Sequence, residues 1–225
     1  TGSRNDKENY LDCFLNRELA AAWYAKQNPD EAWKACWDAQ ACLKNCTGID
    51  RKVTMTWVVA QMFCEIGKIS EGILLLKTEL QKLTLDSQLE EKVIYLKRLG
   101  RLCVEQGLAT DAEECYHEAL QVLSVVESGG RLLELECLIG VSIAIMMEGR
   151  VSKARCILSQ AFILAKQIPK SANKCRFLME IGKLCEDIGE ISRARLCYFE
   201  ALKTCKEGKN ISENEIKLEM KLGNL

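Results

Sequence analysis

Few residues of this chain have the type and spacing that chemistry demands. The single histidine, His117, is a candidate general base, a role that needs an acid to orient the ring and a nucleophile within reach. Its sequence surroundings are read as offering neither partner. Cys42 and Cys46 would share one face of a helix, but a structural zinc takes about four ligands and no cysteine or histidine knuckle lies nearby to complete the set. The glycines are dispersed rather than gathered into a phosphate-binding loop. No catalytic residue, metal site or cofactor is expected, and the chain is read as a non-enzyme.

The thirteen cysteines are an odd number, spread almost evenly and mostly set beside Leu, Ile and Ala. Small secreted domains cluster theirs at framework spacings instead. These are read as reduced, buried, small hydrophobes, which implies an intracellular reducing compartment (cytoplasmic, nuclear or cytoskeletal/ciliary) and a protein that is not secreted. On that reading the sequons Asn45-Cys46-Thr47 and Asn210-Ile211-Ser212 are accidental.

The elements that would position any site are helices. Leu, Ala, Glu and Lys dominate, and only two prolines interrupt 225 residues. A formal net charge of −1 gives no bulk attraction to nucleic acid or an acidic membrane. The longest uncharged apolar stretch, Val141 to Met147, is far shorter than the roughly 20 residues a membrane span needs. Residues 1–9 are read as a leader, with Thr1-Gly2-Ser3-Arg4 as a cloning remnant.

An internal repeat organises the remainder. Residues 99–120 carry Leu99-Gly100, then Gly107, Ala112, Tyr116 and Ala119. The same frame returns as Ile181-Gly182, Gly189, Ala194, Tyr198 and Ala201, and as Gly149, Ala154, Leu158 and Ala161. Weaker copies run Gly67, Gly72, Leu76 and Gln27, Ala32, Cys36, Ala39. The turn position therefore falls at 27, 67, 107, 149 and 189, in steps of 40, 40, 42 and 40. Small residues at Ala32, Gly72, Ala112, Ala154 and Ala194 would let a second helix lie close on the first. Trp23, Phe63, Cys103, Ile145 and Cys185 would fill the gap from the other side. No pair can bury its apolar face alone, so stacked neighbours must share one core.

This frame resembles the tetratricopeptide repeat (TPR), and its long period resembles the LGN and kinesin light chain branches. The resemblance implies an all-α, right-handed α-solenoid of five TPR-like helix-turn-helix repeats with a C-terminal partial sixth repeat or capping helix. Its span is residues 10–225, a single superhelical domain with repeats at 10–49, 50–87, 88–129, 130–170 and 171–211 and a partial repeat at 212–225. Leu222-Gly223 stands where a sixth large-small pair belongs, so the chain is expected to be a fragment of a longer protein. The usual repeat of about 34 residues closes helix B with proline. The equivalent residues here are Lys44, Thr84, Ser124, Lys166 and Lys206, so helix B is expected to run a further turn.

Helix boundaries follow from local chemistry. Asn28-Pro29 should cap and open the first helix B. Ser70, Thr110, Ser152 and Ser192 are expected in the turns before the others. Ser128-Gly129-Gly130 carries the extra length of the 42-residue step, and Pro169 should end the fourth helix B.

In the TPR superfamily the inward residues of helix A line a concave groove. The resemblance places Arg17, Ala21 and Tyr24 there in the first repeat, Trp57, Gln61 and Cys64 in the second, and Lys97, Arg98, Arg101 and Val104 in the third. The fourth contributes Ile139, Ile143 and Met146, and the fifth Arg176, Met179, Lys183 and Glu186. Basic groups flanking an apolar strip suit a protein or peptide segment with acidic and hydrophobic residues. The function expected is a protein–protein interaction scaffold or adaptor. A nucleic-acid-binding helical repeat and a regulatory or oligomerisation arm of a larger enzyme are the alternatives. Nucleic acid is disfavoured by the charge balance, and no membrane insertion is expected.

Overall fold

A computed structural model describes residues 2–46, 49–83, 89–125, 130–169 and 171–206, together with Gly223. Helices follow one another as α1 (Gly2–Ala25), α2 (Pro29–Leu43), α3 (Ile49–Glu65), α4 (Ile69–Gln81), α5 (Leu89–Glu105), α6 (Ala109–Leu123), α7 (Arg131–Met147), α8 (Val151–Gln167), α9 (Ala172–Asp187) and α10 (Ile191–Lys206). Odd-numbered helices are the A helices of the repeat and even-numbered ones the B helices. No strand occurs among the described residues. The expected partial sixth repeat at 212–225 lies, Gly223 apart, outside the described residues, as do Ser128 and Gly129.

The backbone gathers into two compact units, one ending at Gln106 and the other beginning at Gly107. The first holds α1 to α5 and the second α6 to α10. Within each unit, consecutive helices pack on one another: α1 on α2, α3 on both α2 and α4, and α4 on α5 in the first; α7 on both α6 and α8, and α9 on both α8 and α10 in the second.

All five turn positions read from the repeat have left-handed backbone, with φ of 58° at Gln27, 83° at Gly67, 77° at Gly107, 71° at Gly149 and 79° at Gly189. A left-handed residue after a helix lets its own amide and the next one turn back onto the helix's last carbonyls. Gly67 N donates to Cys64 O at 2.9 Å and Lys68 N to Phe63 O at 2.7 Å. Gly149 and Arg150, and Gly189 and Glu190, repeat this pair of bonds, as do Gln27 and Asn28. Gly67, Gly107, Gly149 and Gly189 face open space, so backbone conformation and not crowding selects glycine. Gln27 adopts the same conformation with a side chain attached.

The small residues also sit where close packing demands them. Ala32, Ala112, Ala154 and Ala194 are fully buried. A Cβ on Gly72 would lie 2.6 Å from the Ala60 carbonyl oxygen. Gly182 lies under the ring of Tyr198, and Gly140 lies under that of Tyr116. Phe63, Cys103, Ile145 and Cys185 are buried beside them, and Trp23 is half-buried.

Two boundary expectations change. The Asn28 cap forms as expected, its side chain accepting from Glu31 N at 3.4 Å with Pro29 opening α2. Ser70, Thr110, Ser152 and Ser192 instead lie inside the first turn of their helices, and Lys68, Leu108 and Arg150 hold the cap positions of α4, α6 and α8 without a side-chain bond. The residue directly after the left-handed turn is the cap, two positions before each hydroxyl, and of Asn28, Lys68, Leu108 and Arg150 only Asn28 carries a side chain that accepts there. Nor does helix B generally gain a turn. α2 and α6 stop one residue short of Lys44 and Ser124, and α4 stops at Gln81. Only α8 and α10 reach their closing lysines. Pro169 does follow the end of α8, where the buried Lys174 Nζ donates to Lys166 O at 3.0 Å and Ile168 O at 2.8 Å. A cation there satisfies carbonyls that the helix leaves unpaired.

Candidate functional site

The expected groove residues fall in both units, and each unit's share stands on its own. In the first, α3 and α5 bring Trp57 against Arg98 and Arg101. The two guanidinium carbons lie 5.5 and 5.7 Å from the indole centroid. Trp57 is only 6% exposed, which corrects the expectation of a solvent-facing aromatic. It fills the space between helices and offers its ring face to the two arginines, an attraction worth about 0.5–2 kcal/mol for each cation. Arg101 is exposed and donates from Nε to Glu105 Oε1 at 2.9 Å, one turn along the same helix. Gln61, Lys97 and Arg98 are half-buried, and Tyr24 on α1 is exposed.

In the second unit the apolar strip merges with the core. Ile139 is buried, and Ile143, Met146 and Met179 pack half-buried against the same cluster as Phe177 and Ile181. The strip expected to face water therefore does so only along Ile143 and Met146. Arg176 is exposed, with its guanidinium carbon 4.6 Å from the Phe177 ring centroid and a nitrogen 3.5 Å from Glu136. Lys183 is exposed. Glu186 accepts from the Tyr198 hydroxyl at 2.9 Å.

The three rows of the frame thus differ in openness. Residues ten before the turn (Arg17, Trp57, Lys97, Ile139, Met179) are buried or half-buried. Those six before it (Ala21, Gln61, Arg101, Ile143, Lys183) and those three before it (Tyr24, Cys64, Val104, Met146, Glu186) are half-buried or exposed, and they are the accessible lines on each unit.

His117 has the acid partner that its sequence surroundings were read as lacking, since Nε2 lies 3.4 Å from Glu113 Oε1 one turn earlier. That carboxylate is already occupied. Lys153 Nζ binds it at 2.7 Å, and Arg150 holds its other oxygen while also pairing with Glu148. Burial pushes the Glu113 carboxyl up, but Lys153 and Arg150 outweigh it and hold it below the ordinary range. The four-residue spacing from Glu113 to His117 was the available sequence signal. The reach from α6 to the start of α8 had none.

Eight of the thirteen cysteines are buried and Cys156 alone is exposed. Burial pushes the thiols of Cys13, Cys36 and Cys175 up to about 12 and that of Cys64 to about 11, far from the thiolate that chemistry requires. Cys46 Sγ lies 3.5 Å from the Cys42 carbonyl oxygen. Among the described residues no three His, Cys, Asp or Glu side chains gather as a metal site would need, and no helix is long and apolar enough to cross a membrane.

Solved structures share this architecture. BtubC (BKLC) from P. vanneervenii superposes with a TM-score of 0.59 at 14% identity, covering 94% of this chain and 91% of that one. A Podosopora anserina putative kinesin light chain with nearly identical TPR-like repeats gives a TM-score of 0.58 at 18% identity over 86% and 94%. The fold is a TPR-like α-solenoid. Bacillus thuringiensis PlcR, solved in complex with the peptide PapR7 and DNA, gives 0.57 at 12% identity over 94% of this chain and 73% of its own. No protein-family model matches the sequence, and no curated protein does.

Proposed function

We infer that this TPR-like chain is a protein–protein interaction scaffold whose A helices receive an extended or helical partner segment carrying acidic and hydrophobic residues. The observation that carries the reading is the pair of arginines held against Trp57 in the first unit. Stacking on a buried ring limits the rotamers of both side chains, so less entropy is lost when a carboxylate arrives. Arg101 already grips a carboxylate, that of Glu105. An exposed pair of this spacing is worth only about 0.3–0.5 kcal/mol, so a partner's Asp or Glu can replace it with little loss. The second unit carries its own helix A line, with half-buried apolar groups at Ile143 and Met146 and positive charge at Arg176 and Lys183. PlcR, of the same fold, was solved with a peptide bound, which is consistent with the reading.

The test is a selection from a random peptide display library. The parent chain should return peptides enriched in Asp and Glu alternating with Leu, Ile or Phe. The Lys97→Glu/Arg98→Glu/Arg101→Glu variant should lose these while keeping its helical circular-dichroism signal. Peptides with no acidic enrichment, or equal retention by the variant, would sink the proposal.

A further inference from the structure

Two pairs of thiols meet between α9 and α10. The Cys175 thiol donates to the Cys205 sulfur, and the Cys197 thiol to the Cys185 sulfur. Helix register puts them there. Gly182 lies so close under Tyr198 that a Cβ would stand 2.6 Å from a ring carbon. Seven residues out from that contact along each helix, about two turns, stand Cys175 on α9 and Cys205 on α10, on the same facing stripe. The core cluster of the second unit includes Cys175, Cys185 and Cys197, and Cys205 packs against it. The matching positions of the fourth repeat hold Leu135 and Ala165 and those of the first hold Cys13 and Leu43, all buried. Side chains there bridge the end of a helix A–helix B hairpin away from its turn, and only in the fifth repeat are both of them thiols.

The two pairs differ in access. Cys185 and Cys197 are each 0% exposed, whereas Cys205 is half-buried. The hydrogen bond from Cys197, helped by Arg193, favours the Cys185 thiolate, but a sealed sulfur meets no oxidant.

We propose that Cys175 and Cys205 form a reversible disulfide that staples α9 to α10 when the chain meets a peroxide, while Cys185 and Cys197 stay reduced. The Cys205 thiolate attacks one peroxide oxygen and breaks the O–O bond. A sulfenic acid forms on Cys205, and the departing hydroxide takes up a proton as the first water. The Cys175 sulfur then displaces hydroxide from that sulfenic acid, and the Cys175 proton leaves with it as the second water. Two electrons pass from the two thiols to the peroxide. Burial pushes the Cys175 thiol up to about 12, which suits the second role, since it stays protonated until a sulfenic acid faces it. A dithiol reductant reverses the bond by exchange. The thiol pair belongs to the second unit and the arginine pair over Trp57 to the first, so either proposal can fail without the other.

The experiment treats the reduced full chain with hydrogen peroxide, blocks the remaining thiols with N-ethylmaleimide in denaturant, and maps cross-linked peptides by mass spectrometry. A Cys175–Cys205 link is expected, cleaved by dithiothreitol and formed at least about tenfold faster than any Cys185–Cys197 link. Cys205→Ala should keep the helical circular-dichroism signal and leave Cys175 free to take up N-ethylmaleimide. The proposal is overturned by the absence of the link in the parent, or by a Cys185–Cys197 link that forms as fast. A link that forms no faster in the folded chain than in urea overturns it too.

Discussion

The A helices of the two units place different side chains at the same repeat positions, and the contrast shows what the frame does and does not dictate. In the first unit an aromatic at the inner position, Trp57, closes the gap between α3 and α5 and turns two arginines into a fixed cationic cluster. In the second unit aliphatic residues at the matching positions, Ile139 and Ile143, join the core, and the charges of Arg176 and Lys183 stand apart from them. A large flat side chain can bury its edge and still present a face. An isoleucine has only one hydrophobic surface to bury.

The sharpest way to break this comparison is to remove the ring. Trp57→Ala should lower the stability of the chain by about 3–5 kcal/mol in urea unfolding. Met146→Ala in the second unit should cost about 1–2 kcal/mol, since Met146 is only half-buried. Equal losses would mean that Trp57 is an ordinary groove residue. Glycines give the next largest effect, and they separate two kinds of constraint. Gly140→Ala drives a methyl into the Tyr116 ring and should cost about 1–3 kcal/mol, partly recovered by Tyr116→Leu. Gly149→Ala meets no atoms and should cost only the left-handed strain, about 1–2 kcal/mol, which no neighbouring substitution can recover.

A smaller effect comes from Glu113, an ion network found in the second unit. Its carboxyl titrates below its ordinary value of 4.5, so the stabilisation is present above that pH and is lost as pH falls through the folded value. Glu113→Gln should destabilise by about 1 kcal/mol at neutral pH. The gap between variant and parent should close in acid, below the folded value. A gap that persists there would assign the effect to packing. The smallest change is a gain: Gln27→Gly should raise stability by about 0.5–1 kcal/mol, because Gln27 alone among the five turn residues carries a Cβ in left-handed backbone. Thermal unfolding followed by circular dichroism reads it directly.

Much of the fold was legible because its determinants are local and recur. Gly67, Gly107, Gly149 and Gly189 mark turns that any reader of the period finds, and the small residues five positions later mark the close approach of helix B. The site was less legible. That Lys97, Arg98 and Arg101 share a helix was plain, but Trp57 lies forty residues before Lys97 and its burial depends on how α3 and α5 pack. The acid beside His117 stands four residues away in the sequence, one helical turn. The long reach of Arg150 to Glu113 left no local trace.

The sequence by itself determined the period, the left-handed turns and the residues that must be small, because each is a constraint on backbone within one or two helices. Only the tertiary structure decided which apolar side chains face a neighbour and which face water. Leu19 and Ile181 hold the same place in the repeat and have nearly the same chemistry, yet one is half exposed and the other sealed. Burial is a property of what packs against a helix, and α9 has α8 packed beside it.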